Sequence, residues 1–154
     1  MDRAERRRAA QVNVWAYAVV AWIGVIFFSS TSLAYELCEQ AFASVSLLLF
    51  GRQAMQRPSF GVFHLIADKG LHVTLFLVLA LLLSQALRPH KFRTVQILFI
   101  GFVVGSCSEF IQRFFPGRDP ALRDVLINVA GTGLGVAVSV VAAKRRKNST
   151  VPAK

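Results

Sequence analysis

Residues 73–83 read VTLFLVLALLL, a stretch without a single charge. The run is too long for an ordinary strand, and it grows when read outward. On one side stand Asp68, Lys69 and His72; on the other the first basic residue is Arg88. A helix from about Asp68 to Leu87 therefore has the roughly 20 residues that cross a 30 Å hydrocarbon layer. Three more segments have the same character: Val12 to Phe28, Val95 to Phe110 and Asp124 to Ala143. Four such runs in 154 residues, with 55% hydrophobic and 17% charged residues, predict an all-α integral membrane protein. Soluble domains average about 45–50% and 25% on the same measures.

The +10 net charge is explained by where it sits. Arg3, Arg6, Arg7 and Arg8 precede the first helix, and Lys144, Arg145, Arg146 and Lys147 follow the last. With both tails and the Arg88–Arg93 turn on one side, that side holds twelve basic and two acidic residues, the other six of each. By the positive-inside rule both termini are cytoplasmic and the protein lies in the cytoplasmic membrane. No reader motif or aromatic interleaving accompanies the charge, so nucleic acid is not an expected partner, whereas anionic lipid is. The organisation predicted is a basic tail over 1–11, one membrane domain over 12–143 and a second basic tail over 144–154. The first segment reads as an uncleaved helix, its apolar run being long for a signal peptide and ending in Phe27 and Phe28.

Between the first two helices, Ala41–Phe50 is apolar but only about ten residues long. The spacing of Leu37, Ala41, Val45 and Leu48 suggests a helix in the outer interface or partly re-entrant, ended by Gly51 and Pro58. Cys38 and Cys107 have no metal-type spacing and read as two buried apolar thiols, a bridge between them being the alternative. His90 reads as a solvated turn residue. Trp15 and Tyr17 suit the inner interface as anchors.

The unusual polar residues all fall at the outer ends of the helices. Asp68, Lys69 and His72 open the second helix, Glu109 and Gln112 close the third, and Asp124 and Asn128 open the fourth. Ser29 and Ser30 end the first, and Arg118 and Arg123 lie in the last outer loop. Asp68 and His72 are one turn apart; Asp124, Asn128, Gly131 and Gly135 form one stripe. The glycine pair is a G-x-x-x-G that lets a helix approach closely, within this chain or in a second copy. Ionisable groups at membrane depth cost roughly 2.5–3.5 kcal/mol each, so they pair or they work. Ion pairing of Asp68, Glu109 and Asp124 with Lys69, Arg113, Arg118 or Arg123, and capping by Asp68 and Asp124, form the structural reading of this layer.

Its functional reading assigns roles. His72, oriented by Asp68, is the natural general acid/base, and Glu109 a second proton carrier. Arg118, in a Pro-Gly turn before a helix N-terminus, suits a phosphate or carboxylate, with Lys69, Arg123, Gln112, Asp124 and Asn128 around it. Ser29, Ser30, water or a substrate hydroxyl would be the nucleophile. A non-catalytic binder uses the same groups without a covalent step. A metal held by His64, Asp68, His72 and Glu109 is a lesser alternative, as is a transport path, since the inner halves of the helices lack ionisable groups. No cofactor is expected.

These residues also carry a resemblance. Asp68-Lys69-Gly70-Leu71-His72 resembles the D-K-x-x-H entry of the VanZ-like family. Glu109-Phe110-Ile111-Gln112-Arg113-Phe114-Phe115-Pro116-Gly117-Arg118, followed by Asp124, Asn128, Gly131 and Gly135, is similar to its E-x-x-Q-x-F-x-P-G-R … D-x-x-x-N-x-x-G pattern. Phe28-Ser29-Ser30 resembles its serine pair. Val73 and Phe76 depart from it, standing where the family often has Phe and Tyr. The resemblance implies a small membrane protein of the cell envelope, with a relative associated with resistance to the glycopeptide teicoplanin. Membrane lipids, a lipid-linked envelope precursor or a glycopeptide are the implied partners; the resemblance names no reaction.

The topology makes a direct prediction. In a cysteine-free background, a membrane-impermeant thiol reagent applied to intact cells should label Arg113→Cys and leave Lys144→Cys unlabelled until the membrane is permeabilised.

Overall fold

The computed structural model describes residues 3–87, 91–118 and 120–149, without the side chains of 3–13, 54, 58 and 147. It contains five helices: α1 (Arg3–Ser29), α2 (Ser32–Met55), α3 (Pro58–Ala86), α4 (Arg93–Gln112) and α5 (Leu122–Ser149). The expectations for Arg88, His90, Asp119 and residues 150–154 fall outside the described residues. Four helices, α2 to α5, contain spans long and apolar enough to cross a membrane, and α1 adds a shorter apolar stretch, Val14–Ser29. The protein is a multi-pass, all-helical membrane protein.

Side-chain contacts set the helix directions. Lys69 and His72 meet Asp124 and Asn128, and Ser84 meets Ser139, so α3 and α5 run parallel. Trp22 donates from Nε1 to the Leu75 carbonyl at 2.8 Å, while Ser30 and Ser108 share a 2.7 Å hydrogen bond. Thus α1 and α4 run together and opposite to α3 and α5. The start of α1 and the end of α5 therefore lie at one end of the bundle, and the polar layer at the other. Between them the core is apolar, built from Val19, Ile26, Phe76, Leu79, Ala80, Leu83, Ile97, Val104 and Val136.

The tightest packing is α5 against α3. A Cβ added to Gly131 would stand 2.6 Å from the Val73 carbonyl oxygen, and one on Gly135 2.6 Å from that of Leu77. Both glycines thus face the backbone of a helix in the same chain, which answers the question their spacing raised. α4 approaches α5 in the same manner, with Gly101 against Thr132 and Gly105 against Asn128.

Two sequence expectations are corrected at α2 and α3. The apolar Ala41–Phe50 stretch, read as about ten residues and too short to cross, is part of a 24-residue helix, because helical backbone continues on its N-terminal side through Tyr35, Glu36, Glu39 and Gln40. It also continues past a kink at Gly51, whose φ of 74° suits glycine. The apolar stripe faces outward: Leu37, Val45 and Leu48 are exposed, Leu48 by 84%. Ala34, Tyr35, Glu39, Phe42 and Ser46 turn inward instead. α3 starts at Pro58, ten residues before Asp68, since a proline lacking its N–H is accommodated in the first turn. Asp68 therefore sits inside the helix and does not cap it. The stretch preceding Asp68 lies past the start of α5 and pairs with α2, where Phe42 meets Phe60 and Phe63. Cys38 and Cys107 are free and exposed, neither buried nor bridged.

Overpacking a close contact costs about 1–3 kcal/mol. Gly135→Val should therefore lower the melting temperature in detergent clearly, while Gly133→Ala, with nothing within 4 Å of the added Cβ, should leave it nearly unchanged.

Candidate functional site

α3 and α5 supply the centre of the polar layer. Lys69 Nζ donates to Asp124 Oδ2 at 3.0 Å and lies 2.8 Å from Asp68 Oδ2, one ammonium between two carboxylates. Asp124 is 4% exposed, in the first turn of α5, where an acidic residue also meets the favourable end of the helix dipole. Arg123 is exposed and reaches only to 3.9 Å from Asp124 Oδ1.

One turn deeper, His72 Nδ1 hydrogen-bonds Asn128 Oδ1 at 3.1 Å, and Asn128 is fully buried. With the amide oxygen toward the ring, Nδ1 donates the proton of this bond. The orienting group for His72 is thus Asn128. Asp68, expected in that role, is drawn to Lys69, because an ammonium is the stronger partner for a carboxylate.

Arg118 comes from the loop between α4 and α5, just after Gly117, whose φ of 78° makes the turn. Its Nη2 donates to the Ser29 carbonyl at the end of α1 at 3.1 Å, and its guanidinium carbon lies 5.0 Å from the centre of the Tyr35 ring. Its Nε is buried with no hydrogen-bond partner among the described residues. No described carboxylate lies within ion-pairing distance of Arg118, whereas Lys69 is held by two.

These groups border a cavity of about 450 Å³ whose walls include Asp68, Lys69, His72, Gln112, Arg118, Arg123 and Asp124. Asn128 supports it from behind. Glu109 does not join this cavity. Its Oε2 accepts the Ala121 N–H at 3.3 Å, tying α4 to the start of α5, and it lines a separate cavity with Phe102, Ser106 and Pro120. Among the described hydrogen bonds none joins it to His72.

Neither serine is aimed at His72. Ser29 Oγ donates to the Ile26 carbonyl, and Ser30 Oγ is shared between that carbonyl and Ser108. The metal alternative also dissolves into separate pairs. His64 does lie on the same helix as Asp68 and His72, but its Nε2 bonds Glu39 Oε1 at 2.8 Å. Among the described residues no group of three or more His, Cys, Asp or Glu is arranged so that it could hold a metal ion.

Sequence reasoning missed the contribution of α2. Tyr35, Glu39 and Phe42 are spaced four and three apart, so one face of a helix carries all three toward α3. The signal lay in that polar-aromatic stripe, which in lipid is the inward one, while the apolar stripe faces out.

The VanZ/LLP1 family model matches residues 14–143, and the chain belongs to that family. No curated protein and no solved structure matches it.

Removing one partner of a buried ion pair strands the other charge, at about 3–5 kcal/mol for full burial. Lys69 and Asp68 keep some exposure, so Lys69→Met should cost about 2–4 kcal/mol of stability in thermal melts. The double substitution Lys69→Met/Asp124→Leu should recover a large part of that loss.

Proposed function

Starting from membership of the VanZ/LLP1 family, we propose that the protein holds the anionic headgroup of an envelope lipid or lipid-linked cell-wall component. The site lies at the outer face of the cytoplasmic membrane, with both termini cytoplasmic as the charge distribution suggests. One observation carries this reading: Arg118 lines a polar cavity with no described carboxylate in ion-pairing distance, and its buried Nε has no partner among the described residues. A buried donor left unmet costs roughly 1–3 kcal/mol, more when it belongs to a charged group. An incoming phosphate or carboxylate meets the arginine's charge at the cavity wall and accepts from its guanidinium. Tyr35 and the Ser29 carbonyl hold the guanidinium in place, so little side-chain freedom is lost on binding. Gln112 and His72 add hydrogen-bonding groups on the cavity wall. Retention of such a component is a route by which a protein of this kind would alter glycopeptide action at the wall, the role its resemblance to the teicoplanin-associated relative implies.

A second reading is favoured by the His72–Asn128 pair. An imidazole whose Nδ1 is engaged presents Nε2 as a proton acceptor, which supports catalysis on the bound headgroup with water or a substrate hydroxyl as nucleophile. The two serines, turned into hydrogen bonds of their own, speak for retention without a covalent step.

The test compares cells expressing wild type, Arg118→Ala, His72→Ala and His72→Gln at matched membrane levels. Glycopeptide susceptibility is measured alongside mass-spectrometric profiles of phospholipids and lipid-linked precursors. Loss of a charge-assisted contact is worth about 1.5–3 kcal/mol, or roughly 10- to 150-fold in affinity. Arg118→Ala should therefore bring susceptibility to the level of cells lacking the protein. His72→Gln should retain function, with lipid profiles unchanged throughout. A lipid species made by wild type and absent from both His72 variants would instead establish the catalytic reading. An Arg118→Ala variant as effective as wild type would refute the headgroup site.

A further inference from the structure

The polar cavity has a neighbour. A second cavity, of about 250 Å³, lies between α1, α2 and α3, and both cavities have Tyr35, His64, Asp68, His72 and Arg118 in their walls. The remaining walls differ in kind. The first cavity adds Lys69, Gln112, Arg123 and Asp124; the second adds Ala34, Phe42, Ala67, Leu71 and Leu75. Away from the rim shared with the first cavity, the side-chain oxygens in the second chamber's walls are engaged already. Ser29 Oγ is bonded to Ile26, and Glu39 and His64 are bonded to each other. A hydrated or polar occupant would find few partners there and would lose its own water, which is unfavourable. A hydrocarbon loses nothing. The volume exceeds the roughly 150 Å³ at which an apolar protein cavity takes up a benzene-sized molecule. It suits a segment of one chain, not a whole lipid.

The position of the chamber agrees with that occupant. Its wall residue Leu71 is 42% exposed, and Leu33 and Leu37 on the adjoining helix face outward. The chamber is thus bordered by apolar side chains on the outer surface of a membrane protein, where lipid chains are its surroundings. Arg118, with its unmet Nε, stands on the rim between the two cavities.

We infer that the ligand is a membrane-embedded amphiphile: its phosphate or carboxylate sits at Arg118 in the polar cavity, and the adjoining segment of one hydrocarbon chain occupies the chamber between α1, α2 and α3. This deepens the headgroup reading above and rests on it. Moving a chain from bilayer to protein gains little, because both are apolar. The chamber therefore selects by shape and by keeping the headgroup at Arg118, and a water-soluble phosphate ester is held more weakly.

The test uses Cys38, which lines the chamber, as a reporter. In a Cys107→Ser background it is the single thiol of the chain. The protein is placed in phosphatidylcholine nanodiscs, and the rate of Cys38 alkylation by N-ethylmaleimide is measured with hexadecyl phosphate, glycerol phosphate or hexadecanol. Retention of radiolabelled hexadecyl phosphate is measured in parallel, with Arg118→Gln and with Ala67→Trp, which fills the chamber. Hexadecyl phosphate should bind in an Arg118-dependent manner and slow alkylation at least fivefold, while glycerol phosphate and hexadecanol do neither. Ala67→Trp should weaken hexadecyl phosphate at least tenfold. Arg118-dependent binding with Cys38 alkylated at an unchanged rate and Ala67→Trp binding normally would overturn the chain berth and leave the headgroup site standing. Glycerol phosphate binding as tightly as hexadecyl phosphate would likewise overturn the berth and point to a free phosphate ester. Binding of hexadecyl phosphate that ignores Arg118→Gln would overturn both.

Discussion

The close approach of two parallel helices governs this structure. α3 and α5 run side by side with Gly131 and Gly135 pressed against the carbonyls of Val73 and Leu77. In lipid there is no hydrophobic drive to push helices together, so small residues that permit backbone contact and polar pairs that reward it do that work. Both devices occupy one stripe here. On α5 it runs Asp124, Asn128, Gly131 and Gly135; on α3 the facing positions are Lys69, His72, Val73 and Leu77. Any slip in register would part the ion pair, the imidazole–amide bond and both glycine contacts at once.

That register places charged and amide groups at one end of an otherwise apolar bundle, and the rest of the site is assembled against them. The loop after α4 swings Arg118 back over the end of α1, where a backbone carbonyl and the Tyr35 ring hold it. Glu109 secures the same loop from the opposite side through the Ala121 N–H. The layer is therefore partly structural and partly open: Lys69 and Glu109 tie helices together, while His72 and Arg118 line a cavity with no carboxylate bonded to either among the described residues.

The membrane character, the gathering of polar residues at one end of the helices and the stripe on α5 were legible in the sequence because each rests on spacing along a single helix. Partner choice was not, because it depends on how two helices are rotated against each other. Asp68 and His72 are one turn apart, yet the ammonium of Lys69 takes Asp68 and an amide from α5 takes His72. Glu109 and Gln112 share a face by spacing, but the loop returning to α5 captures Glu109 for its own backbone. The inward face of α2 was missed because the reading followed its apolar stripe and passed over the polar and aromatic residues between. Its leucines and valines look outward, and the face carrying Tyr35, Glu39 and Phe42 packs inward.

The central claim concerns what Arg118 holds, and native mass spectrometry of the protein released from membranes of the expressing cells addresses it most directly. Wild type should carry an anionic lipid through gentle detergent activation, and Arg118→Gln, folded and expressed at the same level, should not. Equal retention of the same lipid by both proteins, or release of wild type without any bound anion, would contradict the account.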